Sequence, residues 1–335
     1  MASLFALQPD NSLYETKYEA SGVILVNGTT GYAICDSSWS LYQFGLDLQP
    51  WSAQNVQWQS PPRQAVLTDE VGESGYEDLS FLDNTFFVVR ESIQLQDGSY
   101  HAIIEEIQLP LVESGSVNDH LQQNYTLQRQ CVTELELEGD SKGLEGLLAI
   151  HDLDGDVVLL GLCEGNHCSE KYKDDRGNGR IVIMKQQQQQ QISFENEGDC
   201  LWKTVRMLDI PPSADFTDYS AMAIDDRDLL AITSQEDSQL WIGRLLGKDP
   251  DTGRWDIDML QFDQGIGETF DFPKDSDCST IYCNIEGIHW VNHGTLLAAS
   301  DKMKKKGKQH FRCREKDQSI HFFVLPDWSE QDFLH

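Results

Sequence analysis

Gly143-Leu144-Glu145-Gly146-Leu147-Leu148-Ala149-Ile150 sets one acidic residue inside an apolar, strand-like run and follows it at once with glycine. Related versions occur at Ala20-Ser21-Gly22-Val23-Ile24, Tyr76-Glu77-Asp78-Leu79-Ser80, Tyr219-Ser220-Ala221-Met222-Ala223 and Ile285-Glu286-Gly287-Ile288-His289. The aligned positions read Ser21, Glu77, Glu145, Ser220 and Glu286, separated by 56, 68, 75 and 66 residues. A strand-plus-hairpin unit recurring at such intervals points to a propeller or a solenoid.

A hairpin follows each marked position. Val23 to Val26 turns at Asn27-Gly28 into Tyr32 to Cys35, and Leu79 to Leu82 turns at Asp83-Asn84 into Phe86 to Val89. Leu147 to His151, Met222 to Ile224 and Ile288 to Val291 turn in the same way at Asp154-Gly155, Asp225-Asp226 and Asn292-His293-Gly294. Short β-branched or aromatic runs around such turn residues read as strands. A third run follows in every unit (Ser40 to Leu46, Tyr100 to Gln108, Arg180 to Lys185, Gln239 to Leu245, Ser319 to Leu325). Some units add a fourth, as at Arg129 to Leu137 and Thr204 to Asp209. That is the content of a propeller blade.

No long stretch carries a 3.6-residue period, so helices should be few. The 49 residues after Glu286 and the 20 up to Ala20 complete a unit of matching size. Ser12 to Tyr18 is expected to join the last unit and seal the ring, which removes exposed edge strands. A solenoid would need distinct capping repeats, and none is found. The expected fold is all-β: a five-bladed β-propeller with a central channel, one domain over residues 1–335.

The 335 residues carry 56 acidic and 25 basic side chains, a formal charge of −31. Such a surface repels nucleic acid and anionic membranes. No apolar run approaches the roughly 18 residues that span a bilayer, and Met1 to Asn11 lacks the basic and apolar regions of a signal peptide. Two glycosylation sequons, Asn27-Gly28-Thr29 and Asn124-Tyr125-Thr126, tilt the expectation slightly toward a secreted or lumenal setting. Of the eight cysteines, Cys163/Cys168 and Cys278/Cys283 share a C-x4-C spacing that a disulfide can close. Zinc at Cys163, His167 and Cys168 is disfavoured, because the spacing matches no standard pattern. Residues 302–316 gather eight basic side chains, enough to clamp an anionic ligand or dock on another subunit's acidic face, although a plain solvated loop is the favoured reading.

First strands of propeller blades line the central channel, so Ser21, Glu77, Glu145, Ser220 and Glu286 are expected to form a ring there. Carboxylates crowded in a channel lose hydration and repel one another, so they need protons or a cation. Hard oxygen donors in adaptable geometry suit Ca2+. Glycines after Ser21, Glu145 and Glu286 let backbones approach closely.

The order Ser, Glu, Glu, Ser, Glu on five first strands resembles that of the calcium-dependent apyrases, or calcium-activated nucleotidases. The Glu-Gly-aliphatic signature is also similar to that of phytase-like and esterase-like propellers. The apyrase resemblance covers the repeat plan and not the loops. It implies that these five residues hold calcium in a five-bladed propeller, with the reaction beside the ion.

Second strands end in Asp36-Ser37-Ser38, Arg90-Glu91, Glu164-Gly165-Asn166, Ser234-Gln235-Glu236 and Asp301-Lys302, which are expected around one mouth of the channel. Arg90 and Lys302 suit a phosphate or carboxylate; Asp36, Glu91, Glu164 or Asp301 suits a general base. No histidine forms a recognisable triad with a serine, and no G-x-S-x-G or phosphate-binding glycine loop occurs. Three functions follow as expectations. The first is a calcium-dependent hydrolase of a phosphate anhydride or ester, acting on a small anionic substrate. The second is a non-catalytic calcium-stabilised propeller that binds a glycan or protein. The third is a lactone or carboxylic ester hydrolase.

Overall fold

The computed structural model describes residues 3–6, 19–49, 55–60, 74–109, 125–139, 143–172, 174–187, 200–301, 313 and 318–326. Among them the strands are β1 (Ser3–Ala6), β2 (Ala20–Val26), β3 (Thr30–Cys35), β4 (Ser38–Gly45), β5 (Val56–Ser60), β6 (Tyr76–Leu82) and β7 (Thr85–Gln94). There follow β8 (Tyr100–Gln108), β9 (Thr126–Leu137), β10 (Leu144–His151), β11 (Val157–Cys163), β12 (Arg180–Gln187), β13 (Cys200–Asp209) and β14 (Ala221–Ile224). The last are β15 (Leu229–Ser234), β16 (Gln239–Leu246), β17 (Gln261–Asp271), β18 (Ile285–Asn292), β19 (Thr295–Ser300) and β20 (Ser319–Val324). Short 3-10 turns occur at 166–168 and 170–172, and Asn55 and Cys313 also take 3-10 conformation.

Local sequence sets the hairpins. Asn27 and Gly28 take φ of 54° and 68°, and Asp83 and Asn84 take 49° and 63°. Two successive left-handed residues form the turn whose twist matches that of the flanking strands. The strands run as antiparallel meanders in the orders β2-β3-β4-β5, β6-β7-β8-β9, β10-β11-β12-β13, β14-β15-β16-β17 and β18-β19-β20-β1. β9 and β13 also pair in parallel, Cys131 to Thr133 against Cys200 to Trp202, which fuses the second and third meanders into one eight-stranded sheet. The N-terminal strand that completes the last meander is Ser3–Ala6, paired with β20. Residues 12–18, expected in that role, lie outside the described residues.

The core lies in layers between consecutive meanders. Ile24, Tyr32 and Leu41 pack on Leu79, Phe86 and Ile107; Val89 and Ile104 pack on Leu147, Leu159 and Trp202. Leu160 and Ile183 meet Met222 and Trp241, and Ala231 and Leu240 meet Ile288 and Trp290. Leu297 and Ile320 return to Val23 and Tyr42 of the first meander. The first strands β2, β6, β10, β14 and β18 neighbour one another in a closed cycle. Meanders packed face to face around a ring of inner strands form a β-propeller.

Two glycines allow this ring to be tight. A Cβ on Gly287 would lie 2.9 Å from Gly22 Cα, Ser21 O and Val23 N, so β18 and β2 touch backbone to backbone. A Cβ on Gly146 would lie 3.0 Å from Met222 N on β14. Side chains bridge other inner strands: Leu147 N–H donates to Asp78 Oδ2 at 2.7 Å and Ala149 N–H to Ser80 Oγ at 2.8 Å.

Cys163 and Cys168 form the expected short disulfide, which removes them as zinc ligands. The other short pair does not form. Cys278 is exposed and free in a turn closed by its N–H donating to Asp275 O, whereas buried Cys283 bonds Cys313. Cys131–Cys200 ties β9 to β13 where they pair. No helix among the described residues is long and apolar enough to cross a membrane.

Candidate metal centre

Each marked residue but one sits at an irregularity in its hairpin. The β2–β3 ladder passes from Ala20 to Gly22, β6–β7 from Tyr76 to Asp78, β10–β11 from Leu144 to Gly146 and β18–β19 from Ile285 to Gly287. Ser21, Glu77, Glu145 and Glu286 are therefore bulged, an arrangement that re-aims a side chain and often borders a functional site. Ser220 lies just before β14, its N–H donating to Thr233 O at 2.9 Å.

A second row is equally regular. Cys35, Arg90, Cys163 and Ser300 stand across from the residues that precede the bulges. The next residues are Asp36, Glu91, Glu164 and Asp301, so these four occupy equivalent positions at the strand ends. The N–H groups of Asp36, Glu91 and Asp301 donate to the carbonyls of Glu19, Gly75 and Asn284 at 2.8, 2.7 and 2.8 Å.

The two rows meet. Asp36, Glu77 and Glu91 each offer a carboxylate oxygen within 4.8 Å of the other two. The Glu77 carboxyl is held well above the ordinary range by burial, then by the charges of Glu145, Glu91, Asp36 and Glu286. A Cβ at Gly143 would lie 3.6 Å from Glu145 Oε1 and 3.9 Å from Glu77 Cγ, so these acids approach one point from neighbouring strands. Asp301 and Asp36, after burial, push up the thiol of Cys35, which puts Asp301 on the same side.

The two serines take a positioning role. Ser21 Oγ donates to Tyr76 O, and Ser220 Oγ donates to Ile285 O at 2.8 Å. Each carbonyl belongs to the residue just before a marked glutamate on the next inner strand. The hydroxyls thus tie the backbone that aims Glu77 and Glu286, and keep lone pairs for other contacts.

Arg90 does not stand at the mouth as a free anion binder. Its Nη1 meets buried Glu105 at 3.3 Å, its Nε donates to Ser74 O at 2.9 Å, and its guanidinium lies 4.5 Å over the Trp39 ring. Tyr76 and Gln130 also donate to Glu105, at 2.8 and 2.7 Å, which makes this a buried structural network. The Glu164 carbonyl accepts from Tyr219 N–H at 2.8 Å. Lys302 and the basic loop around it lie outside the described residues.

Asp218, two residues before Ser220, was not singled out by the sequence pattern. It is buried, accepts from Ser234 Oγ and from Glu236 N–H at 3.2 Å, and is pushed up to about 7. Burial is the largest cause, and the charges of Glu236 and Asp237 add to it against those hydrogen bonds. Its signal was its place: the same position in the other units holds Glu19, Gly75, Gly143 and Asn284. Burial also lowers His289 on β18 to about 4, so its imidazole is neutral at pH 7. His101 Nε2 meets Ser99 Oγ at 2.9 Å, but that hydroxyl donates to Asp97 at 2.6 Å on an exposed hairpin and is not set up as a nucleophile.

The donor set fits a hard divalent cation. All the converging groups are carboxylates, and oxygens within 4.8 Å of one another can share an ion at the 2.3–2.6 Å distances of calcium.

No family model matches the chain, and no curated protein matches it in sequence. It is similar to the PQQ-bound aldose sugar dehydrogenase of Streptomyces coelicolor, at 9% identity over 97% of this chain and 98% of that one, with a TM-score of 0.45. It is similar to a luciferin-regenerating enzyme at 9% identity, covering 98% and 96%, with a TM-score of 0.41. It is also similar to regucalcin, a calcium-binding protein of Agrobacterium tumefaciens str. C58, at 11% identity, covering 96% and 94%, with a TM-score of 0.40. None of the three is an apyrase. At this level the likeness carries no chemistry, which must come from the residues themselves.

Proposed function

We propose that residues 1–335 form one five-bladed β-propeller that binds calcium at its channel mouth and uses it to hydrolyse an ester. The observation that carries this reading is the convergence of Asp36, Glu77 and Glu91 within 4.8 Å, with Glu145 and Glu286 acting on Glu77. Five meanders, five interlocking core layers and a closed cycle of five first strands support the blade count.

Glu77 would hold the ion together with Asp36 and Glu91, whose carboxylate oxygens lie within 4.8 Å of its own, and with Glu145 and Glu286, whose charges act on it, while Ser21 and Ser220 fix the strands beside them. Held by these residues, calcium would supply a Lewis acid for a carbonyl or phosphoryl oxygen and would orient a water. At the rim, Asp301 and Glu164 are the remaining carboxylates of the second row that would take a proton from an attacking water. The choice of ester follows from Arg90. With its guanidinium committed to Glu105, the described mouth keeps no basic side chain from the expected set. A carboxylic ester or lactone, which carries no charge into an acidic site, ranks above a phosphate anhydride or ester. The apyrase-like reading stays as the second arm of the test. Three disulfides among the described residues support a secreted or lumenal setting.

A panel of chromogenic carboxylic esters, lactones, nucleoside triphosphates and phytate, assayed with calcium and with chelator, separates the readings. The account predicts calcium-dependent turnover of an ester or lactone that Glu145→Gln abolishes. Turnover of phosphates alone would reverse the substrate assignment. Calcium-dependent melting without any turnover would leave a binding propeller for a glycan or protein.

A further inference from the structure

Between the second and third meanders lies a cavity of about 310 Å³, within the size range of small-molecule sites. One wall is a cross-strand row. Phe87 on β7 pairs with Glu106 on β8, and Glu106 pairs with Arg129 on β9, so the three side chains share one face. The facing wall brings Gln186 of β12 beside Trp202 of β13, with Val157 at the start of β11. The rings of Phe87 and Trp202 meet edge to face, centroids 6.2 Å apart. Phe87 stands four strand residues from Glu91, about 13 Å at strand spacing, and on the side of the Asp83-Asn84 turn. The cavity is therefore separate from the acidic mouth.

The polar groups around it are unevenly spent. Glu106 is fully engaged, accepting from Arg129 Nε at 2.7 Å and Gln186 Nε2 at 2.9 Å. Lys185 is neutralised by its contact with Asp152 and by nearby Asp156. The two Nη groups of Arg129 have no partner among the described residues, and 44% of that side chain is exposed. Trp202 Nε1 is likewise buried without a hydrogen-bond partner among the described residues. These donors, without a partner among the described residues, stand beside an apolar wall, and the planar fork of an arginine matches a carboxylate.

We propose that this cavity binds a small organic carboxylic acid with an aromatic or branched apolar body. The carboxylate lies on the Nη groups of Arg129, and the body rests against Phe87, Val157 and Trp202. Binding here does not depend on calcium at the mouth.

Calorimetric titration of the full chain in the presence of chelator tests this, with 3-phenylpropionate, 3-phenylpropionamide and methyl β-D-glucoside as probes. The acid should saturate a single site, and the amide should bind at least about tenfold more weakly. Arg129→Gln should remove that difference by weakening the acid alone. No saturation by the acid, equal affinity for acid and amide, tighter binding of the glucoside, or an unchanged affinity in Arg129→Gln would each overturn the proposal. Should that variant fail to fold, the acid–amide comparison on the native chain decides. Because chelator is present throughout, failure here and failure of the calcium reading are distinguishable.

Discussion

Glu77 is the residue on which the acidic centre turns. Its carboxyl is raised by burial and by four neighbouring acids, so ionising it costs the folded state. A folded pKa above the unfolded one means stability that is full below the unfolded value and is lost as pH rises through the folded value. Chelated protein should therefore lose stability as pH climbs from about 4. Calcium should restore it at pH 7.5 and have little effect near pH 4, where protons do the same work. Melting curves at both pH values with calcium and with chelator check this. Glu77→Gln should raise the melting temperature of the chelated protein at pH 7.5 while weakening calcium binding. Asp218 obeys the same sign at another place: raised to about 7, it contributes most below about pH 4 and least above 7. Asp218→Asn should gain on the native chain by up to about 3 kcal/mol between pH 5 and pH 8.5, read from denaturant unfolding. An unchanged difference across that window would contradict the assignment.

At the scale of the element, the bulge and the glycine after it act together. The bulge turns Glu145 or Glu286 off the regular ladder, and the glycine lets the next inner strand close over it. Gly287 shows the constraint most sharply, because its missing Cβ would strike three backbone atoms of β2 at 2.9 Å. Gly287→Ala should cost about 1–3 kcal/mol through forced backbone displacement and should weaken calcium binding by moving Glu286. Gly294→Ala, with nothing within 4 Å, is the control and should be near neutral. Chemical denaturation of both variants reads the difference; equal losses would remove the close-approach argument. The β6 and β14 strands carry Asp78 and Ala221 where the others carry glycine. Asp78 turns its side chain into an inter-strand bond to Leu147 N–H, a different way of joining neighbouring inner strands.

For the whole molecule, hairpins with strong turn residues were readable from sequence, because Asn27-Gly28 and Asp83-Asn84 dictate local geometry. The repeat of one acidic or hydroxyl residue per unit was readable for the same reason: one position in one supersecondary element recurs. What could not be read depends on contacts between units. Arg90 resembled a mouth residue because its partner Glu105 lies across the hairpin on the neighbouring strand, 15 residues along the chain. Cys131–Cys200 and Cys283–Cys313 join distant residues that no short spacing betrays. Ser21 and Ser220 are readable as oxygen donors, but the carbonyls to which their hydroxyls donate follow only from the register between inner strands. The closing strand was sought at residues 12–18, whereas the pairing with β20 falls at Ser3–Ala6.

The central claim is that acids from separate units share one cation at the channel mouth. Crystals of the chain grown with a lanthanide in place of calcium test it directly through the anomalous signal. The account predicts one dominant peak among the carboxylates around Glu77, those of Asp36, Glu91, Glu145 and Glu286, lost in Glu145→Gln. Peaks confined to exposed clusters such as Asp225, Asp226 and His293, with none at the mouth, would contradict it.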